Sequence, residues 1–211
     1  MDKCFLFDND GTLVDSEYLC NIGLAKMFHR YAIKLDPEEL VIRFRGWKLA
    51  SILVILEREN EVTLPDNFVD EYRSVVSDLF DRELKPVNGV INALEALNGP
   101  KAVVSSGPLS KIKHALKLCG LSHYFGDNLY SSYDVGIWKP DPGIYLHAAK
   151  EMGYTAEQCV VVDDGPVGVE AGSKAGMSTF FYNRYNEKCD IDGVISFTTM
   201  NSLPALINAG I

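Results

Sequence analysis

One stretch near the start of the chain, residues 4–13, constrains the fold more than any other. Four apolar residues run directly into the sequence Asp8-Asn9-Asp10-Gly11-Thr12. A short apolar run of this kind is typical of a strand buried on both faces, as in a parallel sheet. In α/β folds the crevice at the carboxyl ends of the strands holds the chemistry, so both aspartates are expected to reach into it. The stretch therefore predicts an α/β protein whose site begins where its first strand ends.

Asp8 and Asp10 point to a metal site, although they also fit an ordinary turn. Two carboxylates so close repel each other unless a cation or a shared proton stabilises them, which favours Mg²⁺ and an acid/base pair. The same residue types also end strands by making side-chain turns, and Gly11 allows a sharp turn of the backbone there. The motif alone leaves both interpretations open.

The composition limits the partners of the chain. Its 211 residues, of which 47% are hydrophobic and 23% charged, are typical of a globular protein with one larger domain or a domain plus an insertion. A net charge of −9 disfavours nucleic acid and anionic membranes as partners. The chain opens Met-Asp-Lys and reaches Asp8 within a few residues, so we expect no signal peptide. It has no apolar run long enough for a membrane helix, and its five cysteines show no paired spacing. We expect a cytoplasmic monomer with buried free thiols at Cys4 and Cys159.

Helical patterns dominate the chain after the first strand, and strands and helices alternate later. Apolar spacing and capping residues such as Asp36-Pro37 predict helices in the first block. Apolar runs such as 159–163 then alternate with helical segments, which implies a parallel sheet with right-handed crossovers. The predicted fold class is α/β, with a Rossmann-like core and a mainly parallel sheet at residues 1–14 and 85–211, and an inserted α-helical cap domain at residues 15–84.

Three later segments carry polar groups suited to phosphate or metal. Ser105-Ser106-Gly107 follows a predicted strand, and its hydroxyls and backbone N–H groups are suitable donors to phosphate oxygens. Lys139 stands between Trp138 and Pro140, immediately before a capped helix, where its backbone is restricted. Asp163-Asp164 ends another apolar strand, and two acids there are more than helix capping requires. Each segment also occurs as a generic turn or cap, so none identifies a site alone.

These four elements, in this order, resemble the haloacid dehalogenase superfamily, whose signature D-x-D-G-T matches residues 8–12. The resemblance implies that Asp8 is a nucleophile that forms an aspartyl-phosphate. It implies that Asp10 is the general acid and then the general base. Lys139 and Ser105 would stabilise charge on the transferring phosphoryl group, as a compact ammonium and a hydroxyl can do.

The resemblance also implies a cofactor, Mg²⁺. Its ligands would be Asp8, the backbone carbonyl of Asp10, and Asp164, with Asp163 acting through water. Oxygen ligands and retained waters are what Mg²⁺ prefers. Members of the superfamily often have Ser where this chain has Gly165, so the hydrogen bonding around the second acidic pair is expected to differ.

The helical insert resembles the caps of β-phosphoglucomutase, phosphoglycolate phosphatase and small sugar phosphatases. Residues 43–48 align with the substrate-specificity loop of that subgroup, where a glycine allows close backbone approach and basic residues could meet a second anionic group. The same charges fit a solvated helix end equally well. Arg73, on a later helix, is a weaker candidate for such a contact and is expected on the surface. The expected substrate contacts are Ser106, Gly107, Gly46, Lys48 and Arg45.

The resemblance is compatible with a phosphatase or a mutase, and the sequence favours the phosphatase. β-Phosphoglucomutase carries Arg where this chain has Leu49, and His where it has Cys20. Without groups to hold a bisphosphate intermediate, water is the favoured acceptor. The implied substrate is a small phosphorylated metabolite, either a sugar phosphate or a phospho-aldonate such as 6-phosphogluconate.

A response-regulator receiver domain is the alternative from a different class of protein. Receivers also cluster Asp, Ser or Thr, and Lys around Mg²⁺, but they are signalling modules rather than enzymes. They place paired acids after the first strand and the phospho-acceptor Asp after a middle strand, without a large insert. Here Asp8-x-Asp10 comes first, the second acidic pair comes late, and residues 15–84 interrupt the chain. That order disfavours a receiver.

Overall fold

The computed structural model describes residues 3–210, and its centre is one parallel sheet. Met1, Asp2 and Ile211 lie outside the described residues, as does the chain start used to infer the lack of a signal peptide. The strands are β1 (Cys4–Phe7), β2 (Lys101–Ser105), β3 (Leu129–Ser131), β4 (Cys159–Asp163), β5 (Ser178–Tyr182) and β6 (Ile195–Phe197). Their order across the sheet is β3-β2-β1-β4-β5-β6, and every neighbouring pair is parallel.

The first strand is buried on both faces because apolar layers cover the sheet on each side. Successive side chains of a strand point to opposite faces. Phe5 and Phe7 belong to one hydrophobic core, and Cys4 and Leu6 belong to a second one. An apolar run without alternation is what two covered faces require. The predicted α/β fold class with a parallel sheet is confirmed.

Helix α2 (Pro37–Phe44) begins where its capping residues predict. Asp36 caps α2 by accepting a hydrogen bond from the backbone N–H of Glu38 at 2.9 Å, and Pro37 is the first helical residue. Within residues 3–210 the α-helices are α1 (Glu17–His29), α2 (Pro37–Phe44), α3 (Leu49–Asn60), α4 (Phe68–Glu83), α5 (Val90–Ala96), α6 (Leu109–Leu118), α7 (Ser122–Phe125), α8 (Ser132–Val135), α9 (Gly143–Met152), α10 (Pro166–Lys174) and α11 (Leu203–Gly210).

Helices α1 to α4 form a block between the first two strands. The segments that enter and leave this block lie side by side. The backbone N–H of Asp15 donates to the Lys85 carbonyl at 2.9 Å, and that of Val87 donates to the Leu13 carbonyl at 3.0 Å. The division of the chain into a core at 1–14 and 85–211 and a cap at 15–84 stays a prediction.

The cysteines are free thiols, and Cys4, Cys119 and Cys159 are buried. Cys4 and Cys159 lie opposite each other on β1 and β4. Each is packed in the core that also contains Leu6 and Val161. Between residues 3 and 210, every helix is too short or too polar to span a bilayer.

Candidate active site

The carboxyl ends of β1 and β4 bring three aspartates together. The two strands are neighbours in the sheet, and Phe7 is paired with Val162. Asp8, Asp163 and Asp164 follow at these strand ends, and each offers a carboxylate oxygen within 4.8 Å of those of the other two. All three residues are buried. Acids from the beginning and the later part of the chain therefore form one cluster.

Lys139 is the cation of this cluster. Its Nζ donates to Asp8 Oδ1 at 2.5 Å and to Asp163 Oδ2 at 2.7 Å, and its side chain is 3% exposed. Burial alone would lower the pKa of this lysine, but the charges of Asp163 and Asp8 raise that pKa well above its usual value. The hydroxyl of Tyr145 donates to the same oxygen of Asp163 at 2.7 Å. Lys139 is therefore a fixed positive charge beside Asp8.

The acidic cluster has the composition of a metal site. Burial raises the pKa of Asp8 well above its usual value; Lys139 opposes this shift, and neighbouring acids add to it. Burial and neighbouring acids likewise raise the pKa of Asp164. Asp164 Oδ2 is buried and has no hydrogen-bond partner among residues 3–210, whereas its Oδ1 accepts from Thr12 Oγ1 at 3.0 Å. A divalent cation would relieve the repulsion and satisfy this oxygen, so the cluster fits a hard metal ion.

Gly11 makes the close approach of Asp164 possible. Its φ angle is +80°, which glycine adopts without steric cost. A Cβ atom at this position would overlap the carboxylate of Asp164. The glycine of the first motif therefore provides the space that the second acidic pair fills.

Asp10 lies beside the cluster and has different partners. Its Oδ1 accepts from Ser16 Oγ at 2.5 Å and pairs with Lys111 Nζ at 2.7 Å. Burial would raise the pKa of Asp10, but Lys111 and the hydrogen bonds lower it below its usual value. Asp8 and Asp10 thus have pKa values shifted in opposite directions: burial favours the protonated form of Asp8, and Lys111 favours the carboxylate form of Asp10.

The loop after β2 lines the same cavity as the aspartates. Ser105 ends β2, the neighbour of β1, and its Oγ accepts from the Gly107 N–H at 3.0 Å. Ser131 Oγ donates to the Gly107 carbonyl at 2.7 Å and braces the loop. Ser105, Ser106 and Gly107 all line the cavity, as do Asp8 and Lys139. The structure therefore brings together the core residues that the sequence motifs single out.

The cavity has a volume of about 300 Å³ and lies between the helical block and the sheet. Gly46, from the loop after α2, lines it. The φ angle of Gly46 is +77°, and a Cβ atom there would lie 2.9 Å from Val167 Cγ2. The loop therefore packs directly onto the start of α10, and only glycine fits that contact without a shift.

Arg45 and Lys48 do not line this cavity. Arg45 is buried, pairs with Glu187, and has its Nε 3.7 Å from Asp164 Oδ2. Lys48 Nζ lies 3.7 Å from the ring centroid of Trp138. Both contacts join the helical block to the loops around the sheet. Their expected contact with the substrate stays a prediction, and this geometry lends it no support.

Sequence comparison identifies the family of the protein. Residues 3–176 match the family of haloacid dehalogenase-like hydrolases. The chain belongs to this family. A crystal structure of a conserved haloacid dehalogenase-like protein of unknown function from Agrobacterium tumefaciens is 28% identical and has a TM-score of 0.84 over 99% of both chains.

Two relatives of this haloacid dehalogenase-like hydrolase are phosphatases. It is 42% identical to 6-phosphogluconate phosphatase of Escherichia coli, over 98% of this chain and 95% of that protein. It is 30% identical to hexitol phosphatase A of the same organism, over 86% of this chain and 83% of that protein. The predicted superfamily and the predicted phosphatase activity are confirmed.

Several residues of this hydrolase's site carry no motif that marks them in the sequence. Ser16 is close to the first motif, and that proximity is the available signal. Tyr145 and Lys111 reach the site from α9 and α6, where nothing local distinguishes them. Glu17 lines the cavity, and burial raises its pKa to about 8. Tertiary packing, rather than local pattern, brings most of these groups to the site.

Arg73 lies at the surface and also at the cavity. Its side chain is 42% exposed, but it lines the cavity on the side of α4. Its Cζ lies over the ring of Tyr133, 5.6 Å from the centroid. Arg73 is therefore exposed, as expected of it, and also contributes to the cavity wall.

Proposed function

We propose that this hydrolase is a Mg²⁺-dependent phosphatase for a small phosphorylated metabolite, with 6-phosphogluconate as the first candidate substrate. The observation that carries the proposal is the convergence of Asp8, Lys139 and the Asp163-Asp164 pair beside one cavity. The sequence similarity to a 6-phosphogluconate phosphatase supports the choice of substrate. A sugar phosphate is the wider class to which the substrate belongs.

The acidic cluster is the proposed site of Mg²⁺. Asp8, Asp164 and the backbone carbonyl of Asp10 would hold the ion, with Asp163 next to them. The unpartnered Oδ2 of Asp164 supports this assignment. When bound, Mg²⁺ supplies positive charge that keeps the carboxylates ionised and balances the charge of a phosphate group.

Asp8 and Asp10 divide the proposed reaction between them. A carboxylate oxygen of Asp8 forms a bond to phosphorus, and the bond between phosphorus and the ester oxygen breaks. Asp10 gives a proton to the departing oxygen. Water then attacks the aspartyl-phosphate, Asp10 takes the proton of that water, and phosphate leaves Asp8. Lys139 and the Ser105 hydroxyl stabilise the charge on the phosphoryl oxygens.

Hydrolysis is favoured over mutase chemistry by two residues of the cavity wall. Cys20 and Leu49 both line the cavity. They stand at the positions where, by the resemblance, β-phosphoglucomutase has His and Arg. A thiol and an alkyl group cannot hold the second phosphate of a bisphosphate intermediate, so water is the expected acceptor.

A metabolite panel tests the proposal. Phosphate release from 6-phosphogluconate, hexose phosphates and hexitol phosphates is measured with Mg²⁺ and again with excess chelator. We expect turnover with Mg²⁺ and its loss with chelator. The same panel includes β-glucose 1-phosphate with a bisphosphate primer, and formation of glucose 6-phosphate there would favour a mutase. No release from any ester, with a single stable phosphoryl group on the protein, would favour a receiver.

The variant Asp8→Asn tests the nucleophile. Turnover is expected to fall by at least ~10³-fold because the substitution removes the group that forms the covalent bond. Asp127→Asn is the matched control, since Asp127 is exposed. Near-normal turnover in Asp8→Asn would rule out the aspartyl-phosphate route.

We further propose that the enzyme acts as a monomer in the cytoplasm, without nucleic acid or membrane as a partner. The net charge of −9 supports the absence of nucleic-acid and membrane partners, because anionic polymers and lipid surfaces would repel the protein. Light scattering on the purified protein determines its mass in solution, and the mass of a dimer would contradict the proposal of a monomer.

A further inference from the structure

We propose that Arg73 binds a carboxylate of the substrate and is the residue that sets the preference for a phospho-aldonate over a neutral sugar phosphate. This inference rests on the proposed phosphatase function and names the group at the far end of its substrate. It assigns to α4 the role that the sequence suggested for Arg45 and Lys48.

The wall of the cavity is rich in acidic side chains. Its wall contains five carboxyl groups, those of Asp8, Asp10, Glu17, Asp163 and Asp164. A divalent metal ion, Lys139 and Lys111 together carry less positive charge than these acids and one phosphate carry negative charge when ionised. A second anionic group on the substrate would be repelled by the same acids unless another cation lies close to it.

Most of the basic side chains that line the cavity are bonded to other groups of the protein. Lys139 is bonded to Asp8 and Asp163, and Lys111 is bonded to Asp10. The ring of His114 contacts Asp81 at 2.7 Å and Ser77 Oγ at 3.3 Å. Among the described residues of the wall, these three are committed to protein partners.

Arg73 differs from them. Its nearest carboxylate is Asp70, with 3.9 Å between Nη1 and Oδ1, and the Asp70 side chain is 84% exposed. That distance is too long for a hydrogen bond. Within residues 3–210, the guanidinium of Arg73 therefore makes no hydrogen bond to a side chain, and its ion pair with the exposed Asp70 is long and weak.

The guanidinium of Arg73 has the geometry to bind a carboxylate. Its planar fork of N–H groups matches the two oxygens of a carboxylate. The ring of Tyr133 lies below it, at 5.6 Å from Cζ, and a cation over an aromatic face is held there by the ring quadrupole. Tyr133 also lines the cavity. The arginine thus lies at the cavity wall with an aromatic ring of the same wall against its guanidinium.

A pair of substrates with the same carbon chain tests the inference. At the end of the chain away from the phosphate, 6-phosphogluconate has a carboxylate, whereas glucitol 6-phosphate has a CH₂OH group. We expect the wild-type enzyme to prefer 6-phosphogluconate in kcat/KM. In Arg73→Gln, the ratio of the two kcat/KM values should fall about tenfold, mainly through the KM for 6-phosphogluconate, because one charged hydrogen-bonded contact is lost.

Two further variants make the test specific. Arg73→Lys keeps the charge but not the fork, and should retain part of the preference. Arg82→Gln is the matched control on the same helix, since Arg82 is exposed and its Nε donates to the Asp78 carbonyl at 2.9 Å. It should keep the wild-type ratio. Circular dichroism and melting of each variant show that the ratio is measured on folded protein.

The outcomes separate this inference from the proposed function. If the wild-type enzyme hydrolyses phosphate esters and Arg73→Gln keeps the wild-type ratio, the role of Arg73 is wrong and the phosphatase stands. The same holds if the wild-type enzyme shows no preference for the carboxylate. If no phosphate ester is hydrolysed by the wild-type enzyme, both proposals fail together.

Discussion

Lys111 Nζ lies 2.7 Å from Oδ1 of Asp10, so a lysine of α6 neutralises the carboxyl group that the proposed reaction uses as acid and base. The ammonium also lies 5.7 Å from the ring centroid of Phe80 on α4. Lys111 therefore stands where the sheet, the loop after β1 and the helical block meet. Its charge favours the carboxylate form of Asp10.

The variant Lys111→Met is expected to change the pH dependence of catalysis. Burial raises the pKa of Asp10, and Lys111 is the strongest of the groups that lower it, so removal of Lys111 raises this pKa. The first step needs Asp10 with its proton, and that fraction falls as the pH rises through the pKa. The basic limb of kcat/KM against pH should therefore move to higher pH in the variant.

The control for this experiment is Lys113→Met, an exposed position two residues along the same helix. Its profile should match that of the wild-type enzyme. A basic limb at the same pH in Lys111→Met and wild-type protein would show that Asp10 is not the acid of the rate-determining step, or that Lys111 does not set its pKa.

Gly46 offers a test of how the helical block meets the sheet. In Gly46→Ala, the new Cβ would lie 2.9 Å from Val167 Cγ2, at a φ of +77°. We expect the loop to move away from α10 and kcat/KM to fall about tenfold, since misplacement of binding groups by about 1 Å has large kinetic effects. Steady-state kinetics measure this loss.

The matched control is Gly153→Ala. Gly153 has a φ of +78°, but a Cβ atom there would meet nothing within 4 Å. Both variants should lose about 1 kcal/mol of stability from the left-handed backbone, since that conformation disfavours a side chain. The kinetic loss should appear in Gly46→Ala alone. An equal kinetic loss in both would assign the effect to stability.

Much of this site could be predicted because it follows from strand ends. Apolar runs that end in acids predict buried strands, and in a parallel sheet the carboxyl ends meet at one edge. The motif at Asp8 and the pair Asp163-Asp164 therefore lie together once β1 and β4 are neighbours. Ser105 could be predicted as a site residue because it ends an apolar strand. Lys139 could be predicted because it precedes a capped helix.

The residues that support this site could not be predicted, because their contacts depend on how distant elements cross. Tyr145 on α9 and Lys111 on α6 look like ordinary helical residues, and only the packing of each helix on the sheet directs them to Asp163 and Asp10. The helices Ser122–Phe125 and Ser132–Val135 are four residues long, too short for a helical period to be read from the sequence.

Tyr145→Phe tests the buried contact with Asp163. The variant leaves the ring in place and removes the hydroxyl that donates at 2.7 Å. We expect a loss of about 1–2 kcal/mol in the free energy of unfolding, because a buried carboxylate loses a donor. Urea unfolding with chelator present measures it. Tyr154→Phe, on a half-buried ring, is the control, and an equally small effect in both would show that the contact does not stabilise the fold.

Glu17 gives a pH dependence of stability with a defined sign. Burial, with the charge of Asp10, raises the pKa of Glu17 from its usual 4.5 to about 8. The folded protein thus holds a proton that the unfolded chain releases above pH 4.5. The contribution of Glu17 to the free energy of unfolding is therefore fully present below pH 4.5 and is lost as the pH rises toward 8.

Glu17→Gln should remove that dependence, since the amide resembles the protonated carboxyl group and does not titrate. Because Glu17 is partly exposed, we expect the variant to be more stable than the wild-type protein at pH 8 by on the order of 1–2 kcal/mol, and equally stable near pH 4.5. Urea unfolding across this range, with chelator present, measures the difference. Parallel stability curves for the two proteins would mean that Glu17 is already ionised at neutral pH, and that Lys111 rather than a proton balances its charge.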